Sequence, residues 1–163
     1  AVCGEEIVLF YIKSRGEMET FTLDVDYLVV SISTPESLPA KMCRDKYRRG
    51  ILRLWFDDAD HESESMRAYF ERNLRLFNTG DAFSILNFVR TALMYTNVEA
   101  IVCHCDAGIS RSSATAAALS KILNGDDFAM FQKPYVPNML VYRTLLTVNH
   151  ETKLLRKWEK RNV

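Results

Sequence analysis

The residue types best suited to chemistry stand in one short run, Cys103-His104-Cys105-Asp106-Ala107-Gly108-Ile109-Ser110-Arg111-Ser112-Ser113. Five residues separate the thiol of Cys105 from the guanidinium of Arg111. A loop of that length can curl so that its backbone N–H groups form a nest around one tetrahedral oxyanion. Arg111 then closes the ring with a planar fork that fits two phosphate oxygens. Gly108 supplies the backbone freedom such a turn requires. The anion-binding residues expected from this reading are His104, Asp106, Ala107, Gly108, Ile109, Ser110 and Arg111.

The same positive surroundings act on the thiol. Helix N-termini and neighbouring cations favour the ionised form of a cysteine. Cys105 is therefore expected to be a thiolate without a general base. It can attack phosphorus while the loop and Arg111 hold the equatorial oxygens. Ser112 can donate to the sulfur and ease its departure when a phosphocysteine is hydrolysed. His104 is expected to hydrogen-bond backbone and fix the loop, not to act as base. Cys103 reads as an inert, buried thiol.

The elements around the run say how it is positioned. The segment 98–105, VEAIVCHC, reads as a buried strand, and SSATAAALSKIL after it reads as a helix that stops at Asn124-Gly125. The run thus lies where a strand ends and a helix begins, the place where open α/β sheets bind ligands and where a helix offers unpaired N–H groups to an anion. Three further strands are predicted: EEIVLFYIKS over 5–14, VDYLVVSIS over 25–33, and GILRLWF over 50–56. Thr34-Pro35 and Leu38-Pro39 end the second and start a loop. The third alternates at Leu52, Leu54 and Phe56 and runs into Asp57-Asp58-Ala59-Asp60. Residues 64–77 carry Met66, Tyr69, Phe70, Leu74 and Phe77 at helical spacing, a stripe that reads as core. Asn78-Thr79-Gly80 breaks that helix, and Thr79 or Asp81 can cap the next, whose apolar positions are Phe83, Leu86, Val89 and Leu93. Pro134 and Pro137 bound a loop, and a last helix is predicted from about Asn138, its N-cap, towards Arg161. Lys153, Arg156, Lys157, Lys160 and Arg161 read as a solvated face of it. The expected fold is an α/β single-domain sandwich over 1–163, a central, largely parallel sheet of four to five strands flanked by helices.

Composition narrows the function. With 163 residues the chain suits one domain, and 48% hydrophobic residues are normal for a globular protein. Lys plus Arg and Asp plus Glu both number 21, so the basic excess of a nucleic-acid binder is missing. No apolar run approaches the ~20 residues that span a bilayer. The first residues, AVCGEEIVLFYIKS, hold Glu5 and Glu6 and do not read as a signal peptide. A cytoplasmic location and free thiols at Cys3, Cys43, Cys103 and Cys105 are the expectation. No zinc-type spacing is seen, and no metal or cofactor is expected.

His-Cys, five residues, Arg, Ser resembles the signature of the cysteine-based protein tyrosine phosphatase superfamily. HCDAGISRSSAT is most similar to its dual-specificity branch. The strand VDYLVVSIST, the strand LRLWFDD and the Pro137-Asn138 pair resemble the compact tyrosine-phosphatase-like proteins of bacteria and phages. The resemblance covers most of residues 7–150. It implies a protein tyrosine or dual-specificity phosphatase acting on phosphoprotein or aryl phosphate substrates. It also implies an Asp on a separate loop, which protonates the leaving oxygen and later activates water. Asp57, Asp58 and Asp60 are candidates, with Asp58 ranked first and Asp81 a further one. The acidic cluster also reads as a solvated turn capped by Asp60 or Ser63. In dual-specificity enzymes the acid commonly lies nearer the cysteine, whereas Asp58 stands 47 positions before Cys105. The matching residue to Asn138 also braces the phosphate loop in the family. Asp106 makes the loop acidic and favours phosphoprotein or aryl phosphate over phosphoinositides. An arsenate reductase or sulfurtransferase using the same loop, and a phospho-residue-binding module without activity, are the rival readings.

Overall fold

Four strands hydrogen-bond in the order β1-β4-β2-β3, with every neighbouring pair parallel. The computed structural model that shows this describes residues 6–60 and 72–158. The strands are β1 (Leu9–Ser14), β2 (Tyr27–Ser33), β3 (Arg48–Trp55) and β4 (Ala100–Cys105). Three helices of eight or more residues are described: α1 (Thr79–Tyr95), α2 (Arg111–Asn124) and α3 (Met139–Thr152). Short 3-10 turns lie at Glu17–Glu19 and Phe128–Phe131. The expected α/β sandwich with a parallel sheet and flanking helices is the observed architecture.

The sequence explains which strands are central. Every residue of β2 and β4 is buried, as their near-continuous apolar runs require of strands covered on both faces. β1 and β3 are the edges and are only partly buried. On one face Leu28, Val30, Ile32, Ile101 and Cys103 meet the small-residue helix α2 and the apolar sides of α1 and α3. On the other face Tyr27, Val29, Ala100 and Val102 pack with Met18. The Ala and Ser residues of α2 let it lie close to the sheet; Arg111 through Ser120 are all buried.

Several boundaries differ from expectation. β1 starts at Leu9, because Ile7 is 64% exposed and outside the ladder. The predicted helix over 64–77 lies largely outside the described residues, with Met66, Tyr69 and Phe70. Leu74 to Phe77, however, are irregular, after Asn73 at φ 50°. Asn78, not Thr79 or Asp81, caps α1. Its side chain accepts from the Asp81 N–H at 2.9 Å, and the Asp81 carboxylate receives the Asn78 N–H at 3.1 Å. This reciprocal box satisfies two N–H groups at once. Phe83 is exposed, and the buried stripe of α1 is Ala82, Ile85, Leu86 and Val89.

α3 stops at Thr152, well short of Arg161. Lys153 takes the left-handed conformation at φ 55°. The Asn149 side chain receives the Leu155 N–H at 2.9 Å and donates to the Leu155 carbonyl at 3.1 Å. These bonds turn the chain back so that Leu155 is buried. Lys153, Arg156 and Lys157 therefore do not form a helix face; Lys160 and Arg161 lie outside the described residues. Among the described residues no helix is long and apolar enough to cross a membrane.

Candidate active site

A parallel sheet gathers the C-terminal ends of all its strands along one edge. Here Arg15, Thr34, Phe56 and Asp106 each follow a strand and meet there. The Arg15 N–H donates to the Asp106 carbonyl at 3.1 Å, and the Phe56 N–H donates to the Ser33 carbonyl at 3.1 Å. The Cys105–Arg111 run leaves this edge from β4 and enters α2.

Gly108 has φ 71°, and a Cβ placed on it would lie 2.8 Å from the Lys13 carbonyl carbon and from the Ser14 nitrogen. Both the conformation and the close approach to β1 exclude a side chain. Cys105 is buried, and its Sγ lies 3.1 Å from the Ser112 hydroxyl. Among the described residues the backbone N–H groups from Ala107 to Ser113 make no hydrogen bond within the protein. Gly108 and Arg111 to Ser113 are buried while Ala107 and Ile109 are exposed, and buried donors are costly unless something accepts from them. Ser110 stands at the N-cap of α2, yet makes no capping bond. Its hydroxyl donates to Asp58 Oδ1 at 2.8 Å instead.

Arg111 has only 6% of its side chain exposed. Nη1 donates to the Phe56 carbonyl at 2.8 Å and to the Thr34 hydroxyl at 3.3 Å. Nη2 donates to Asp106 Oδ2 at 3.1 Å. Nε is buried and has no partner among the described residues. A guanidinium anchored at both terminal nitrogens still has its Nε donor to offer an anion. Thr34 closes a triangle by donating to the same Asp106 oxygen at 2.8 Å. Burial raises the Asp106 carboxyl, but hydrogen bonds from Thr34 and Arg111, with the charges of Arg111 and Arg15, outweigh it and hold the group below its ordinary value.

His104 is completely buried behind the loop. Nε2 lies 2.6 Å from the Ser31 hydroxyl and Nδ1 lies 3.5 Å from the Cys105 carbonyl. A carbonyl only accepts, so Nδ1 carries the proton and Nε2 accepts from Ser31. Burial, reinforced by the charges of Arg15 and Arg53, pushes the imidazole down to about 4 against the pull of the Cys105 carbonyl and Asp106. Burial and the neighbouring Cys105 push the Cys103 thiol upwards, which keeps it neutral.

The three acidic candidates part company. Asp57 turns to Arg75: its carboxylate receives the Arg75 N–H at 2.8 Å, and its own N–H donates to the Arg75 carbonyl at 2.7 Å. Asp58 turns to the loop and accepts at Oδ1 from Ser110 Oγ and from Asn138 Nδ2 at 2.9 Å. Asp60 makes neither of these contacts. Asp81 is committed to the α1 cap and to a two-pronged ion pair with Arg75 at 2.9 and 2.8 Å.

Asn138 is both the predicted N-cap of α3, accepting from the Val141 N–H at 3.2 Å, and a brace. Its N–H donates to the Ser110 carbonyl at 3.1 Å and its amide donates to Asp58. Sequence reasoning missed Thr34, Ser31 and Arg15 as site residues. Their signal was position alone, at or near the C-terminal ends of β2 and β1. Among the described residues no cluster of three or more His, Cys, Asp or Glu has the arrangement of a metal site.

No protein-family model matches this sequence, and comparison with curated proteins gives no match. Solved structures do match. The human tyrosine phosphatase-like serine/threonine/tyrosine-interacting protein shares 19% identity over 88% of this chain and 93% of its own, with a TM-score of 0.51. A variant of human DUSP28 shares 15% identity over 92% of this chain and 98% of its own, with a TM-score of 0.47. The first likeness, together with the sheet order and flanking helices, shows that the chain has the cysteine-phosphatase α/β fold.

Proposed function

We propose that this protein is a cysteine-dependent phosphatase that hydrolyses phosphate monoesters through a phosphocysteine. The observation that carries the reading is the free anion-binding capacity of the Cys105–Arg111 loop. Seven successive N–H groups and the buried Arg111 Nε lack protein acceptors around a buried thiol. In this mechanism Cys105 Sγ attacks phosphorus and the bond to the ester oxygen breaks. Asp58 gives its proton to that leaving oxygen. Water then attacks phosphorus, gives a proton back to Asp58, and the sulfur leaves with a hydrogen bond from Ser112. The loop N–H groups and Arg111 hold the three equatorial oxygens throughout. Phosphoprotein or aryl phosphate is the proposed substrate class, in a cytoplasmic setting.

The test is turnover of para-nitrophenyl phosphate, inhibited by vanadate and unaffected by chelators. Cys105→Ser should abolish it while phosphate analogues still bind. Activity of that variant within tenfold of the parent overturns the mechanism. Binding without turnover is the second reading, since a solved protein of this fold is named for interaction. It predicts that the parent binds phosphate yet hydrolyses nothing. A reductase needs a resolving thiol, and neither of the other two cysteines among the described residues is placed as one. Cys103 is sealed in the core, and Cys43 donates to the Phe21 carbonyl at 3.5 Å.

A further inference from the structure

Asp106 is an acidic side chain inside a loop otherwise arranged to receive an anion. Its Oδ2 accepts from both Thr34 and Arg111. Its Oδ1 accepts nothing among the described residues, and 45% of the side chain is exposed. The carboxylate is thus anchored at one oxygen and presents the other to solvent beside the guanidinium that would bind phosphate. Asp106 is also the one carboxylate in ion-pair contact with Arg111 among the described residues. A single phosphate can meet the unpaired Nε while Asp106 keeps its hold on Nη2. A second negative group on the same ligand meets the Asp106 charge, with Arg15 the other cation that acts there.

We propose that Asp106 is a specificity-determining residue: its carboxylate, held by Thr34 and Arg111 beside the loop, turns away phosphate esters that carry a second anionic group next to the reacting phosphate. This rests on the phosphatase reading and deepens it. The substrate class becomes monophosphate esters in neutral or cationic surroundings. Partly exposed charges a few ångströms apart interact with an energy between the water and near-surface limits of Coulomb's law. The expected discrimination is about tenfold, or about 1.4 kcal/mol.

Two esters with nearly the same leaving group test it: para-nitrophenyl phosphate and 3-carboxy-4-nitrophenyl phosphate. The parent should favour the first by about tenfold in kcat/KM. Asp106→Asn, and Asp106→Ser should the first variant misfold, should bring the ratio close to one, whatever happens to the absolute rates. Equal rates in the parent, or a ratio unchanged in a folded variant, overturn the proposal while the phosphatase reading stands. Calorimetry with inorganic phosphate and pyrophosphate separates the two claims. Asp106→Asn should improve pyrophosphate over phosphate by about tenfold. If that shift appears but the parent hydrolyses neither ester, the phosphatase reading falls and the charge filter survives as a binding filter. If neither anion binds and neither ester is hydrolysed, both fall.

Discussion

Asp58 Oδ1 takes both donors offered to this carboxylate, from Ser110 and Asn138. That leaves Oδ2 without a donor among the described residues, the oxygen that faces the leaving group in the proposed mechanism. An aryl ester with a good leaving group needs little protonation, and an alkyl or peptidyl ester needs much. Asp58→Asn should therefore slow phosphotyrosine peptide far more than para-nitrophenyl phosphate, whereas Asp57→Asn should slow neither selectively, being turned towards Arg75. If Asp57→Asn shows the leaving-group dependence and Asp58→Asn does not, the assignment of the acid is wrong. Asn138→Ala removes one of the two donors and should produce a weaker version of the same dependence, with the ground-state affinity for phosphate little changed. Arg111→Lys keeps the charge but loses the fork and the Nε donor. A drop in turnover on the order of a hundredfold, about 2.7 kcal/mol, is expected. A lysine variant as active as the parent would show that the guanidinium geometry is not used.

At the scale of elements, the phosphate-loop candidate is a strand end, a left-handed glycine and a helix start. Gly108 combines a left-handed φ with contact against the β1 backbone. Gly108→Ala should cost more in urea unfolding than the about 1–3 kcal/mol of that conformation alone, because its Cβ also meets the β1 backbone. No change in the unfolding midpoint would mean the loop relaxes at no cost. This element was legible in the sequence because its signals are local: a buried apolar run, glycine, then small residues with Asn124-Gly125 at the end. Gly125 indeed ends α2 at φ 77°. The cap of α1 was harder to read. Asn78, Thr79 and Asp81 are all good cap residues, and only the Asn78–Asp81 reciprocal bonds decide among them. The end of α3 was not legible. Basic residues continue the helical pattern past Thr152, and what stops it is the non-local burial of Leu155 under an Asn149 clasp. The same limit hid Thr34. Its bonds to Asp106 and Arg111 span more than seventy residues, and no spacing in the sequence marks them.

Across the whole molecule, the sheet carries an ionisable group in its interior directly beneath the candidate site. His104 sits on central β4, completely buried, with Ser31 of β2 on one ring nitrogen and the Cys105 carbonyl near the other. Arg15 and Arg53, from the two edge strands' side of the sheet, add positive charge that disfavours a second proton. The folded imidazole is thereby pushed down to about 4, from an ordinary value of 6.5. Between these values the unfolded chain holds a proton on His104 and the folded chain does not. Proton uptake on unfolding means that stability rises with pH in this window. Read downwards, the contribution of this group is fully present above pH 6.5, is lost as pH falls towards 4, and changes no further below that. A shift of this size corresponds to something on the order of 3 kcal/mol. Glu17, Asp45 and Asp106, all held below their ordinary values, extend the loss to more acidic pH. Replacing the imidazole by an amide, His104→Gln, removes the titration but keeps a group able to accept from Ser31. The variant should be less stable than the parent near neutrality. Its urea midpoint should stay nearly level from pH 6.5 to pH 4.5, while that of the parent falls. A parent midpoint that is flat over this range, or a variant midpoint that falls just as steeply, would show that the acid sensitivity of this fold does not pass through the histidine beneath the loop.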